Sequence, residues 1–376
     1  MIVNTSERTG GAAVAARRLM EALNNSGVKA KMLVRDKETE HISVCQLPHV
    51  WRQRWHFLWE RWCLFCHLHF SKRHLFEIDM ANAGMDITQL PEFAEADIIH
   101  LAWVNQGMLS LHNIRKIMDS GKPVVWTMHD MWPATAICHL TLGCQRFRTQ
   151  CGDCPYLPGH AEHDLAARIW QRKERLLRGR QIHFVACSQW LASEARSSRL
   201  LEGQPVVSIP NPIDTRVFRP GDKAAARQLL GLPQGRRLIL FASQRATNVN
   251  KGMGYLTDTA RIVAAYQATD LFVLPSLSEN LPNTIMEAMA CGVPCIGFRV
   301  GGIAEEIDHQ LNGYVAAYKD AADLARGIHW VLAEADHALL AAEAVRKVAR
   351  CYAQRTVAMR YIDIYNKVLD KGYLEV

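Results

Sequence analysis

A rhythm constrains this chain more than any single motif. Apolar runs of strand length at 2–6, 29–34, 96–102, 123–129 and 182–188 alternate with longer amphipathic stretches such as 12–24 and 109–118. That alternation is the pattern of βαβ units, which build a mainly parallel sheet with helices on both faces. It restarts at 236–243 and runs through 270–276, a helix at 283–290, and further apolar runs at 293–298 and 313–317, with the Pro-containing segment 206–214 as the connection. The expectation is an α/β chain of two doubly wound Rossmann-like domains, 1–205 and 206–354, with a last helix in 355–376 that could return to the first. Two such sheets joined by a short segment would face each other across a cleft. Ligands of open α/β sheets sit at the carboxyl ends of the strands, so the site is expected there.

Size and charge narrow the class. A chain of 376 residues with 49% hydrophobic residues can fill two cores of ordinary size. Its formal charge of +7 comes from scattered Arg and Lys, with a local cluster at Arg172, Lys173, Arg175, Arg178 and Arg180. Such a balance suits phosphates or an acidic lipid surface. Zinc-finger spacing, an RNA-recognition signature and a continuous basic arm are all missing, so no nucleic-acid partner is expected. The first residues read as a buried strand and not as a leader, and no stretch approaches the roughly 20 apolar residues of a membrane span. A cytoplasmic protein is expected, either free or peripheral at the inner membrane face. Its eleven cysteines are then thiols or metal ligands before they are disulfides.

The segment from Ser278 to Glu287 follows an apolar run and enters a helix. Glu279 falls in the loop and Glu287 eight positions later inside the helix, while Asn283 and Thr284 sit at its first turn. Amide groups at a helix N-terminus favour phosphate, and carboxylates beside them can accept from sugar and ribose hydroxyls. The plainer alternative is a capped helix with one exposed Glu. Near the front, Gly10-Gly11 precedes a helix, where glycine lets backbone approach a phosphate closely. His129 ends the run 123–129 and opens His129-Asp130-Met131-Trp132-Pro133.

Glu279-(x7)-Glu287, continued by Ala288-Met289-Ala290-Cys291-Gly292-Val293-Pro294, resembles the signature of family 4 of the retaining glycosyltransferases. Gly301-Gly302-Ile303-Ala304-Glu305-Glu306-Ile307 and Asn312-Gly313 fit the same family, and the resemblance spans most of the chain. It implies the GT-B fold, with an acceptor-side first domain and a second domain that holds a nucleoside-diphosphate sugar. It also implies that Gly10 and Gly11 approach the donor, that Arg245 and Lys251 bind its diphosphate, and that His129 contacts the transferred sugar. Retaining transferases of this type are thought to react by front-face attack, with the leaving phosphate assisting deprotonation of the acceptor, a saccharide or lipid-linked saccharide. Cations and helix N-termini take the place of a metal, so no catalytic divalent ion is expected.

Two clusters stand outside that signature. Cys138, Cys144, Cys151 and Cys154 place four thiols within 17 residues; four soft ligands in one loop suit a structural zinc, with two disulfides as the rival. A similar loop occurs in a subset that resembles colanic-acid glycosyltransferases. Residues 51–76 interleave Trp51, Trp55, Trp59, Trp62, Phe65 and Phe70 with Arg and Lys, as interfacial helices do, and would suit contact with an anionic membrane. A helix pair packed on the first domain is the other reading. Cys63-Leu64-Phe65-Cys66-His67 matches a haem-attachment pattern, but that chemistry belongs to exported chains, and the run reads better as helix.

One departure from the family pattern bears on function. After Lys251-Gly252-Met253-Gly254-Tyr255-Leu256 a family member continues through further strands and helices, whereas here the chain passes directly to 257–276. A βαβ unit needs about 30 residues, so one to two units of the second sheet, which help hold the nucleotide base, are expected to be missing. Two readings follow: a working transferase of exopolysaccharide, capsule or lipopolysaccharide synthesis, or a degenerate binding or scaffold protein.

Overall fold

The computed structural model describes residues 1–159, 161–241 and 259–373. The chain divides into two compact units, Met1–Ile209 with Ala358–Val376, and Pro210–Val357.

In the first unit the order is β1 (Ile2–Ser6), α1 (Gly11–Asn24), β2 (Met32–Asp36), β3 (Val44–Gln46), α2 (Val50–His67), α3 (Pro91–Ala94), β4 (Ile99–Leu101), α4 (Leu111–Met118), β5 (Val124–Met128), α5 (Leu165–Leu177), β6 (His183–Ala186), α6 (Gln189–Arg196) and β7 (Val206–Ser208). Its seven strands form one sheet in the order β3-β2-β1-β4-β5-β6-β7, with every pairing parallel. The central strands β1, β4 and β5 are buried throughout, which is why they read as continuous apolar runs and not as alternation. The start of β2 lies at Met32, because Ala30 and Lys31 are spent on the turn that Asn24 closes onto both edges of Ala30. Sequence periodicity missed β3, whose three residues bury only Val44. It also took 206–214 as connection, whereas Val206–Ser208 is the seventh strand, paired with β6. Residues 50–76 are not a helix pair: a single helix, α2, is followed by turns.

The second unit runs α7 (Lys223–Leu229), β8 (Ile239–Phe241), α8 (Thr259–Gln267), β9 (Leu271–Leu274), α9 (Asn283–Ala290), β10 (Cys295–Phe298), α10 (Ile303–Glu306), β11 (Gly313–Ala316), α11 (Ala321–His329) and α12 (His337–Cys351), and then enters α13 (Gln354–Tyr373). Its sheet has four described strands, β11-β10-β9-β8, all parallel. Four described strands agree with the short second sheet expected from the sequence. Among the described residues β8 pairs only with β9, and its apolar side chains are open to solvent, with Ile239 49% and Phe241 59% exposed. Asp270 fastens this edge. Its carboxylate accepts from Lys223 Nζ (2.9 Å), Arg227 Nη2 (2.8 Å) and the Leu238 amide (2.7 Å), joining α7, β8 and β9.

From Ala358 onward α13 belongs to the first unit, and the reason is polar. Buried His100 on β4 has Tyr365 Oη at 2.6 Å from Nδ1 and Thr127 Oγ1 at 2.7 Å from Nε2, and Thr127 is bonded in turn to Tyr361 Oη at 2.9 Å. Burial holds His100 down to about 3, with the amino terminus and His129 adding to the effect, so the ring is neutral when folded. Once unfolded it titrates near 6.5, so below that pH the unfolded chain binds the extra proton. Folding should therefore lose about 1.4 kcal/mol per pH unit from this group as pH falls from about 6 toward 4. Urea unfolding at a series of pH values, on wild type and His100→Gln, checks this. The wild-type slope should be steeper by that amount; equal slopes would assign the acid sensitivity to other groups.

Candidate functional site

In the second unit the candidate residues gather at the carboxyl end of β9. The chain leaves β9 at Leu274, passes through the loop that carries Glu279, and enters α9 at Asn283 behind the N-cap Pro282. No side chain caps this helix and its first turn holds no acidic residue. The helix is thus entered without a side-chain cap at Pro282 or an acid in its first turn, and the positive end of its dipole favours an anion. Asn283 Oδ1 accepts from Asn211 Nδ2 at 3.1 Å, tying the start of α9 to the segment that enters this unit.

Glu279 is half-buried. Its Oε1 accepts from Ser276 Oγ at 3.2 Å, and burial raises its carboxyl above the usual range, opposed by Ser276 and the Asn280 amide. Two glycines hold the loop in place. Gly301 has φ +52, and a Cβ there would overlap the Glu279 carbonyl oxygen; a Cβ on Gly302 would overlap that of Asn280, which accepts from the Gly302 amide at 2.6 Å. The Gly-Gly pair thus buttresses the loop that presents Glu279. Glu287, by contrast, is buried in α9, where its Oε2 accepts from Tyr266 Oη on α8 at 2.9 Å. Sequence reasoning gave no role to Glu306. It is fully buried, neither carboxyl oxygen has a hydrogen-bond partner among the described residues, and burial, followed by the nearby charge of Glu279, pushes it well above the carboxylate range. Its only sequence signal is its place in the Gly301–Ile307 run. Arg245 and Lys251 lie outside the described residues.

The first unit carries its own set. Gly10 precedes α1 with φ +93, a conformation that favours glycine, and nothing stands within 4 Å of where its Cβ would be. Gly11 opens α1, which also lacks a side-chain cap and a first-turn acid. His129 follows β5, and burial lowers it to about 4, partly opposed by Asp130. Asp130 is committed elsewhere: it accepts from His139 Nδ1 (2.7 Å), Trp103 Nε1 (2.8 Å) and the Trp132 amide (2.8 Å). The sequence placed Asp130 beside His129 but did not single out His139, which the Asp130 carboxylate raises above the usual range against the effect of burial.

The four loop thiols are all free and line one small cavity together. Burial pushes Cys138, Cys151 and Cys154 up to about 12. Buried Lys173 closes the same region, donating to the Trp132 carbonyl (2.6 Å) and the Thr135 carbonyl (3.0 Å) and lying 3.3 Å over the Trp132 ring. Neither disulfide forms. Among the described residues no three His, Cys, Asp or Glu side chains are grouped so as to hold a metal ion.

Two units built on parallel sheets are the plan of the GT-B glycosyltransferases, and the structure of Anabaena HepE in complex with UDP-glucose shares this fold. Its TM-score is 0.61 at 15% identity, over 97% of this chain and 98% of that one. The Glycosyltransferase Family 4 profile matches residues 9–217, more than half of the chain, and that of Glycosyl transferases group 1 matches residues 235–334. The chain belongs to glycosyltransferase family 4. It is 23% identical over 311 residues to the putative colanic acid biosynthesis glycosyl transferase WcaC of Escherichia coli strain K12, covering 72% of this chain and 75% of that protein. It is also 33% identical over 115 residues to the N,N'-diacetylbacillosaminyl-diphospho-undecaprenol alpha-1,3-N-acetylgalactosaminyltransferase of Campylobacter jejuni, covering 31% of each.

The glycine buttress gives a direct test. Gly301→Ala should destabilise the protein by about 1–3 kcal/mol, through strain at positive φ and displacement of the Glu279 loop. Hydrogen exchange should speed up at 276–282 while the β9 core stays protected. Wild-type exchange in that loop would show that the glycines do not hold it.

Proposed function

We propose that this chain is a retaining transferase that moves a hexose from a nucleoside-diphosphate sugar to a saccharide acceptor carried on lipid, in assembly of a bacterial exopolysaccharide, capsule or lipopolysaccharide. One observation carries the reading: a half-buried carboxylate, Glu279, is held by a glycine buttress in the loop that leads into a helix N-terminus with no side-chain cap. A diphosphate near the N-terminus of α9 and a sugar hydroxyl on Glu279 are the ligands this arrangement suits. Lys251 and Arg245 are assigned to the diphosphate, where negative charge grows as the sugar departs. Glu287 is assigned to the ribose, and Gly10 and Gly11 to close passage of the first unit's backbone by the donor.

The neutral imidazole of His129 is assigned to the transferred sugar, and the departing phosphate to deprotonation of the acceptor, without a divalent ion. UDP-glucose in the HepE structure supports the donor class, and the diphospho-undecaprenol in the Campylobacter enzyme's name supports the acceptor class. On this reading the protein works at the inner membrane face, in peripheral contact with anionic lipid.

The second reading is a degenerate binding or scaffold protein, favoured by the short second sheet and the open edge at β8. Differential scanning fluorimetry against uridine, guanosine and adenosine diphosphates and their sugars separates the two. A donor site predicts a rise in melting temperature with one base. The rise should shrink at least about tenfold in affinity in Lys251→Ala and in Glu279→Gln. A cooperatively melting protein that responds to none of them would favour the scaffold.

The cysteine loop enters the proposal as a structural zinc site, supported by the single cavity that all four thiols line. Since no three of them are grouped to hold an ion, binding would have to draw the thiols together. Plasma emission should find one zinc per chain, lost in Cys151→Ser along with several degrees of melting temperature. Zinc-free protein with an unchanged melt would remove metal from the account.

A further inference from the structure

The helix α2 is inside out. Its inner face is polar: Gln53, Glu60 and Arg61 are buried beside Leu64. Gln53 Nε2 donates to the Leu47 and Pro48 carbonyls at 2.7 Å each, and Arg61 donates to the Leu75 carbonyl at 2.7 Å and to Asp79 Oδ2 at 3.0 Å. The outer face is aromatic. Trp51 is 76% exposed, Trp55 70%, and Trp59 and Trp62 more than half, with Leu58 exposed among them. At 3.6 residues per turn, positions 51, 55, 58 and 62 share an arc of about 60°, with 59 beside it and Arg54 and Arg52 on its two margins. In the turns that follow, Phe70, Lys72, Arg73 and Phe76 are exposed too. Within α2 the only acid is Glu60, and it is buried, while the next acid along the chain, Glu77, is exposed with its carboxylate 2.6 Å from His74 Nδ1. Trp51, Trp55 and Trp59 stack on no ring among the described residues.

A contiguous exposed apolar patch of this kind marks an interaction surface, and the charges say with what. Tryptophan rings prefer the headgroup level of a bilayer, where one edge is apolar and the other wet. Cations on both margins of the helix, with no exposed acid in α2 itself, complement anionic phosphates. The stripe runs along the exposed side of an 18-residue helix, so it can meet a lipid surface lengthwise, and among the described residues no helix is long and apolar enough to cross one. We infer that the outer face of α2 is the element that seats this protein on an anionic bilayer, with Trp51, Trp55, Trp59 and Trp62 at the headgroup boundary and Arg52 and Arg54 on lipid phosphates. This deepens the membrane-peripheral reading above and rests on it.

The test is co-sedimentation of the full chain with vesicles of phosphatidylcholine, alone or mixed with phosphatidylglycerol, while tryptophan emission is followed. Binding is expected only to the anionic vesicles, weakened by salt and accompanied by a blue shift. Trp51→Ala/Trp55→Ala/Trp59→Ala should lose about tenfold or more in binding with its melting temperature little changed, because those side chains are more than half exposed. Arg52→Glu/Arg54→Glu, altering exposed side chains alone, should lose the anionic preference and carries the test if the triple variant fails to fold. Equal binding by wild type and both variants, or no binding to either vesicle, overturns the inference. So does a dimer in light scattering that dissociates in the triple variant, which would assign the face to a second copy. The vesicles hold no saccharide and the assay no donor, so the two readings fail separately. A protein that binds bilayers but transfers no sugar leaves this surface standing, while one that glycosylates a soluble acceptor and ignores vesicles does the reverse.

Discussion

The contact on which the candidate site depends is the hydrogen bond from the Gly302 amide to the Asn280 carbonyl. It joins the chain after β10 to the loop after β9, and it exists because neither Gly301 nor Gly302 has a Cβ to push the two backbones apart. Parallel pairing of β9 with β10 brings these two loops to the same end of the sheet. The glycines then set how closely they meet, and the position of Glu279 follows. A carboxylate on an unsupported loop would sample many positions; this one is held by backbone, which suits a group that must meet a ligand already oriented.

Buried charge plays the corresponding part in the first unit. Asp79 receives Arg61 and the Gln106 amide, and Asp130 receives His139, Trp103 and Trp132. Removing one member of such a group would strand the others without water. This explains why α2 turns its polar side inward. Arg61 of α2 reaches Asp79, whose carbonyl accepts from Trp132 Nε1 in the turn after β5, and Gln53 reaches the Leu47 and Pro48 carbonyls, so these polar groups take the inner face and leave the tryptophans for the outside.

Much of the fold was legible because parallel strands buried on both faces must be apolar runs, as in Val124–Met128 and Leu271–Leu274. The edge strand Val44–Gln46 escaped because one buried residue in three has no period. In the candidate site, the loop position of Glu279 and the start of α9 were readable in the sequence, but a ligand role for them was only what the family resemblance implied. The enclosure of Glu287 by Tyr266 was not, since the partner comes from α8 and only packing brings it there. Asp130 and His139 are nine positions apart with a 3-10 turn between them, and no local pattern announces their pairing.

Departure from the family pattern pointed to a short second sheet, and the sequence by itself determined the periodicity, hence two parallel sheets, and the places where glycine must stand. Those are consequences of backbone sterics and of apolar area seeking burial, both encoded residue by residue. Tertiary structure decided which groups are partnered: that α13 returns to His100 through two tyrosines, that Asp130 serves His139, that Glu306 is buried with no hydrogen-bond partner among the described residues, and that four tryptophans of α2 face outward. These outcomes depend on which side chains meet across long separations in sequence, where desolvation and hydrogen-bond partners, not local propensity, set the energy.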